Sequence, residues 1–470
     1  MRAAFTAQAV RAAEQAVLAG RPADSLQDAA AGALALRCAA LLPAVYGSAV
    51  TLLIGSGDNG GDVALAGAAL ARRGAVVTAV LLSARTHPRG LAALRAAGVA
   101  VADAADGAAA LAHADLVVDG LLGIGGRGGL REPAASLVAG APPGPVWVAA
   151  DLPSGVDADT GAVDGVAVQA DVTVAFGALK PGLVLGAGRD HAGVVVEVDI
   201  GLGPHLGAAA VLVAQSDDVA AWWPWPRPDD DKYRRGVVAV DAGSPAYPGA
   251  GVLAVGGAVA AGAGMVRVLG PRADAVLSRF PECVVGEGRV QARVVGPGLG
   301  TGADAMARLA RALDTDVPVV VDADGLTLLA TDPGLVRART ALTVLTPHDR
   351  EFERLGGPVG SDRAGAARRL ADDLGAVVLL KGSATVVARP GQEQVYANPT
   401  GVADLATAGS GDVLSGVIGR LLAAGLGERA PVVAAYVHGV AGAHAAAIGP
   451  VAATDLLAGL RAAVAGLRGD

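Results

Sequence analysis

Short apolar runs ending in glycine-rich polar loops recur along this chain, and that recurrence limits its possible folds more than any other feature. Residues 50–54 lead into Gly55-Ser-Gly-Asp-Asn-Gly-Gly-Asp62, residues 116–118 into Asp119-Gly-Leu-Leu-Gly-Ile-Gly-Gly-Arg-Gly-Gly129, and residues 146–150 into Asp151-Leu-Pro-Ser-Gly-Val-Asp157. Beyond residue 229 the same rhythm resumes. Apolar runs at 293–295, 317–321, 342–345 and 377–380 precede Gly296-Pro-Gly-Leu-Gly-Thr301, Asp322-Ala-Asp-Gly325, Thr346-Pro-His-Asp-Arg-Glu351 and Lys381-Gly-Ser-Ala-Thr385. Helical periodicity falls between them, at 63–73, 90–97, 107–112, 252–263 and 413–422. Strand, loop and helix in series predict an α/β fold whose parallel strands present their C-terminal ends on one edge, where ligands bind.

A chain of 470 residues exceeds one ordinary core, so two domains are expected. The break falls where Trp222, Trp223, Pro224, Trp225, Pro226 and Pro228 cluster. We read residues 1–205 as the first domain, 206–228 as a proline-stiffened connector stacking its indoles on one or both domains, and 229–470 as the second. A Trp-lined ligand cage is the alternative for the connector. Two helices, at 2–19 and 25–42, precede the first strand.

Composition narrows the function classes. The net charge is −8 and no basic block appears, which excludes a nucleic-acid partner. Cys38 and Cys283 stand far apart and make neither a disulfide framework nor a metal cluster. The longest uncharged run, 242–266, is rich in Gly and Ala and broken by Pro245 and Pro248; it reads as a packed helix and not a membrane span. The Ala-rich N-terminus carries Arg2, Arg11 and Glu14 without an apolar targeting segment, so a cytoplasmic location is expected. Asparagine occurs only at 59 and 398, and lysine only at 180, 232 and 381; all but Lys180 fall in the polar loops and motifs described here.

The sharpest candidate site is Leu405-Ala-Thr-Ala-Gly-Ser-Gly-Asp-Val-Leu-Ser-Gly416. Gly409 and Gly411 free the backbone to approach a ligand, and the following helix start offers unpaired N–H groups to a phosphate. Asp412 puts a carboxylate there. It is either a first-turn acid or a general base that deprotonates a hydroxyl for attack on a phosphoryl group. His348 is either an N-cap or surface histidine or a site residue. In the first half, Asp58, Asn59 and Asp62 crowd a glycine-rich turn, which suits a cation or sugar hydroxyl better than a phosphate; a turn built of good turn formers is the alternative. Asn59, Asp119, Asp151 and Ser154 together make an oxygen-rich set for a hard cation.

Asp-Asn-Gly-Gly-Asp at 58–62, Asp119-Gly-Leu-Leu-Gly and Asp151-Leu-Pro-Ser-Gly-Val-Asp resemble the NAD(P)H-hydrate epimerase domain, a Rossmann-like parallel sheet. The resemblance implies that Asp58, Asn59, Gly60, Gly61 and Asp62, with Gly123, Ile124, Gly125, Gly126, Arg127, Gly128 and Gly129, hold the damaged nucleotide. It implies that Asn59, Asp119 and Ser154 share a potassium ion and that Asp151 is the catalytic acidic residue at the substrate. The sequence departs from the family at Asp58 (usually Asn), Val63 (usually Gly) and Ile124 (usually Thr).

Lys-Tyr-Arg-Arg-Gly at 232–236, Gly-Pro-Gly-Leu-Gly at 296–300, Leu-Thr-Pro-His at 345–348, Lys-Gly-Ser-Ala-Thr at 381–385 and Ala-Thr-Ala-Gly-Ser-Gly-Asp at 406–412 resemble the ribokinase-like NAD(P)H-hydrate dehydratases. The fused order is similar to the bacterial bifunctional NAD(P)H-hydrate repair enzymes. By that resemblance Ala250, Gly298, Gly300, His348 and catalytic Asp412 meet the hydrate, while Lys381, Gly382, Ser383, Ala384, Thr385 and Gly411 meet ADP. It implies epimerisation of the R and S hydrates (NADHX and NADPHX) and dehydration of the S form, with ADP as phosphate donor, magnesium as cofactor, and AMP and phosphate as products. A homo-oligomer is expected. The rival is a ribokinase-like kinase of a small alcohol carrying a non-catalytic nucleotide-binding module.

Overall fold

The structure, a computed structural model, describes residues 1–469. It forms two compact units, 3–211 and Leu212 onward, the second including Met1–Arg2.

In the first unit seven strands, all parallel, run in the order Ala100–Asp103, Val76–Leu81, Ala49–Ile54, Leu116–Gly120, Val146–Ala150, Val172–Phe176, Val194–Val198. Alternate side chains leave opposite faces of a strand. Leu52 and Ile54 accordingly enter one core with Leu34, Leu70 and Val118, whereas Leu53 enters the other with Val80, Leu111 and Val117. Strand order reverses between Ala49–Ile54 and Leu116–Gly120, which opens a crevice at their C-terminal ends. The start of the helix carrying Asn59 and the strand end carrying Asp119 meet there.

Two local expectations need correction. Residues 2–4 form a strand, Arg2–Ala4, and the first helix is Ala7–Leu18, because Thr6 caps it by accepting the N–H of Ala9 at 3.2 Å. The glycine-rich stretch 58–62 is not a turn but the first turn and a half of helix Asp58–Arg72. Its glycines serve contact. A Cβ on Gly60 would stand 2.5 Å from the Gly55 carbonyl oxygen, and one on Gly61 would stand 2.7 Å from both Gln27 Nε2 and the His87 ring.

In the second unit, strands Val377–Leu380, Thr343–Leu345, Val319–Val321, Ala292–Val295, Val237–Asp241, Met265–Val268 and Val284–Val285 are parallel neighbours in that order. Thr385–Ala388 and Val395–Asn398 extend the sheet antiparallel, and Val211–Val213 follows Val395–Asn398. The order reverses beside Val237–Asp241 and Ala292–Val295. Helix Ser410–Ala423 lies here against helix Pro248–Ala260. The two approach closely through glycine: a Cβ on Gly416 would stand 1.9 Å from the Ala254 oxygen, and one on Gly257 2.2 Å from the Val413 oxygen.

The stretch read as a connector stacking its indoles on a domain is itself folded. Helix Ser216–Trp222 occupies it, and Trp223 is buried in the second unit's core with Val238 and Val240. Arg420, Arg429 and Arg468 stack over Trp223, Trp222 and Trp225. Its indoles are thus spent on packing, and nothing here forms a ligand cage. Among the described residues no helix is long and apolar enough to cross a membrane; the apolar run 242–266 yields helix Pro248–Ala260 instead.

Candidate functional sites

In the first unit, Asp119 ends a central strand and is fully buried. Its Oδ1 accepts Ser154 Oγ–H (2.6 Å) and the Leu121 N–H (3.1 Å), and its Oδ2 accepts the Ser154 N–H (2.8 Å). Burial pushes its pKa up to about 6 despite those bonds. Asn59 Nδ2 donates to the Leu122 carbonyl at 2.8 Å, and the Leu122 N–H donates to Ser154 Oγ at 2.8 Å. Asn59, Asp119 and Ser154 therefore converge on the backbone of Leu121 and Leu122. Asn59 Oδ1 is buried without a hydrogen-bond partner, an acceptor that suits a cation.

Asp151 follows the next strand with φ +65°, a left-handed conformation that costs a non-glycine residue about 1–3 kcal/mol. Its Oδ1 accepts the Phe176 N–H at 3.0 Å and the Lys180 ammonium, and Lys180 Nζ also donates to the Phe176 carbonyl at 2.9 Å. Around this pair stand Asp62 and Glu14. Burial, then Asp151, then Asp58 push Asp62 up to about 8; burial and Asp151 raise Glu14 as well. Asp58 itself turns outward, its side chain 97% exposed, so the carboxylate replacing the family's Asn lies in solvent. In the second loop, a Cβ on Gly125 would stand 2.9 Å from Arg11 Nη2, a Cβ on Gly123 3.3 Å from Asn59 Cβ, and a Cβ on Gly126 3.1 Å from Leu122 Cβ. Ile124 packs on the core, Arg127 is exposed, Gly128 takes φ +71°, and Gly129 fits closely against the Asp164 carbonyl.

In the second unit a cavity of about 880 Å³ is lined by Asp322, His348, Glu351, Lys381, Gly382, Ser383, Thr385, Gly409, Gly411, Asp412 and His438, among others. Gly409 takes φ +89° as the N-cap of helix Ser410–Ala423, whose first turn holds Asp412. Lys381 Nζ lies 2.9 Å from Asp322 Oδ1 and 3.7 Å from Glu351 Oε2. Burial works against the ammonium, but Asp322 and Glu351 prevail and hold its pKa above the usual value. The same ammonium would stand 3.4 Å from a Cβ on Gly411, which places a fixed cation at the helix start. Burial, then Asp322, push Asp412 up to about 7. A base poised near neutrality beside backbone donors and an ammonium is the equipment of phosphoryl transfer.

His348 caps helix Asp349–Gly356, its Nδ1 accepting the Glu351 N–H at 3.3 Å, and it faces the cavity. Ala250 abuts Gly298, with a Cβ there only 2.6 Å from the Ala250 methyl, and the Gly300 N–H donates to Asp324 Oδ2 at 2.8 Å. These three are not part of the cavity lining, and the Ala384 side chain is buried beneath its loop.

Sequence reasoning missed Glu14, Arg11 and Lys180 in the first unit, and Asp322, Glu351, Ser415 and His438 in the second. Ser415 Oγ donates to Asp322 Oδ2 at 2.7 Å, and His438 Nε2 meets the Ser410 carbonyl at 3.0 Å, burial pushing the imidazole down to about 4. The rarity of lysine was the one signal that could have raised Lys180.

Residues 238–460 match the family model for NAD(P)H-hydrate dehydratase, and residues 23–182 match the one described as YjeF-related protein N-terminus. A bifunctional NAD(P)H-hydrate repair enzyme of Mycobacterium tuberculosis (strain ATCC 25618 / H37Rv) is 51% identical over 444 residues, covering 92% of this chain and 91% of the relative. Its counterpart in Mycobacterium leprae is 49% identical over 485 residues, covering 99% and 100%. Among solved structures, a ribokinase-like superfamily protein from Enterococcus faecalis V583 superposes with TM-score 0.51 at 23% identity, covering 55% of this chain and 96% of that one; it speaks to the fold alone. With half its residues shared across nearly its whole length, the chain belongs to the bifunctional NAD(P)H-hydrate repair enzyme family.

Proposed function

We propose that the first unit interconverts the R and S hydrates of NADH and NADPH, and that the second dehydrates the S form with ADP, releasing NAD(P)H, AMP and phosphate. The observation that carries this reading is Asp412, a carboxyl raised to about 7 at a helix start that also holds Lys381. The hydroxyl of a hydrated nicotinamide is a poor leaving group. Asp412 takes its proton, the alkoxide attacks the terminal phosphoryl of ADP, and the first-turn amides and Lys381 stabilise the charge on the transferred group. The ring-nitrogen lone pair then expels phosphate, and the iminium so formed loses a proton from the neighbouring ring carbon to give NAD(P)H.

Magnesium fits this site as an ion carried mainly by the phosphates, since among the described residues no cluster of three or more His, Cys, Asp or Glu forms a cage. When bound, it neutralises charge on those phosphates. Potassium fits the first unit, where Asn59 Oδ1, Asp119 and Ser154 would hold it and its charge would sit beside the substrate. A homo-oligomeric state and a cytoplasmic location, the latter expected from the Ala-rich N-terminal sequence, are open to light scattering and fractionation. The deciding experiment incubates both hydrate epimers with and without ADP, following them by chiral separation. ADP should convert both to NAD(P)H with one phosphate each, and without ADP only interconversion should occur. A stable phosphorylated product would overturn the reading.

A further inference from the structure

Lys180 is one of three lysines in the chain and the only one outside the loops and motifs that mark the two sites. Its side chain is completely buried (0% exposed), so it cannot touch a substrate. It instead contacts Asp151 Oδ1 and the Phe176 carbonyl. Asp151 Oδ1 also takes the Phe176 N–H, so that oxygen is fully committed. No hydrogen bond reaches Oδ2, and the Asp151 side chain keeps 12% of its surface open. A buried ion pair is a poor way to gain stability, since well-packed apolar residues do as well or better. It is a good way to fix one oxygen and present the other.

We propose that Lys180 is the positioning residue of the epimerisation site: it clamps Asp151 Oδ1 and holds Oδ2 aimed at the hydroxyl of the hydrate. This rests on the epimerase reading of the first unit. The hydroxyl sits on the carbon beside the ring nitrogen. Asp151 Oδ2 accepts the O–H proton as that carbon becomes an aldehyde; its bond to nitrogen breaks and the electron pair goes to nitrogen. Nitrogen takes a proton from Asp62, a carboxyl that keeps its proton to about pH 8. The aldehyde turns, the ring closes on its other face, and both protons return. Nothing is consumed. The groups facing Asp151 are Lys180, Glu14 and Asp62, with Arg11 and Asp58 beyond Glu14.

The test replaces Lys180 in the full chain and follows the kinetics of epimer interconversion, with ADP-dependent consumption of the S epimer as the internal control. Lys180→Met should lower kcat about a hundredfold with little change in KM. Lys180→Arg keeps the charge and the donor and should recover part of kcat, again with little change in KM. A Met variant with wild-type kcat, or one whose KM rises as far as its kcat falls, overturns the proposal. So does an Arg variant that keeps the fold and the internal control but loses as much kcat as that expected for Met, and this arm decides even when the Met variant does not fold. Wild-type chain that leaves the epimers unchanged refutes the epimerase reading itself, a distinguishable result.

Discussion

Asp412 must be ionised to act, and its surroundings resist that. With its pKa near 7, dehydration kcat/KM should be half-maximal near pH 7 and fall tenfold per unit below it. Asp322 is the largest charge holding it up, so Asp322→Asn should move this limb to lower pH, because the ammonium of Lys381 then favours the Asp412 carboxylate against only the smaller effects of Asp324 and Glu351. A pH–rate profile that does not move would show that Asp412 titrates independently of that pair. Asp412→Asn keeps shape but accepts no proton; dehydration should drop about 10²–10⁴-fold, with ADP binding and epimerisation retained. Asp62 gives a stability test. Its folded value near 8 lies above the unfolded 3.8, so folding favours the protonated form. That contribution is complete below pH 4 and disappears as pH rises through 8. Asp62→Asn should therefore flatten the fall in the first unit's melting temperature between pH 5 and 9. Asp151 stood out in sequence because it follows an apolar run, and Asp412 because it closes a glycine-rich loop just ahead of an apolar helix pattern. Glu14, Arg11 and Lys180 were not, since an Ala-rich helix and a lone lysine acquire meaning only from what tertiary folding brings against them.

Helix Ser410–Ala423 carries Asp412, and its placement depends on the absence of side chains. Periodicity at Val413, Val417, Leu421 and their neighbours revealed the helix body. It could not reveal that the helix begins at Ser410 or that Gly416 touches another backbone, since glycine contributes nothing to an apolar pattern. The same blindness hid the helical state of 58–62, where Gly60 and Gly61 read as turn formers and in fact permit packing. Gly416→Ala places a methyl 1.9 Å from the Ala254 oxygen, and backbone cannot swing away as a side chain can. Overpacking of this kind costs about 1–3 kcal/mol. The substitution should lower the melting temperature of the second unit and depress dehydration by shifting Asp412, while epimerisation persists. Separate assays of the two activities on one preparation would show it. Equal loss of both would mean that the damage is not local to this helix crossing.

At the scale of the molecule, composition located the change of character near residue 222 but not the destination of its rings. Tryptophan and proline together look alike in a linker and in a core, and only the partners decide. Here they are Val238, Val240 and three arginines of the second unit, so this unit begins near 211 and not at 229. The consequence is testable by truncation. A fragment of residues 229–470 loses Trp222, Trp223 and Trp225, and leaves Arg420 buried without the ring it stacks on and without the Pro224 carbonyl 3.4 Å away. It also loses strand Val211–Val213 and so bares the edge of Val395–Asn398, an invitation to association. Loss of one buried tryptophan alone costs about 3–5 kcal/mol, against about 5–15 kcal/mol for a whole domain. A fragment of residues 208–470 keeps these contacts. It should melt cooperatively and retain ADP-dependent dehydration, whereas 229–470 should aggregate or melt far lower. Thermal unfolding followed by circular dichroism, beside the dehydration assay, separates the two. Equal melting temperatures would mean that the tryptophans only decorate a core that is complete without them.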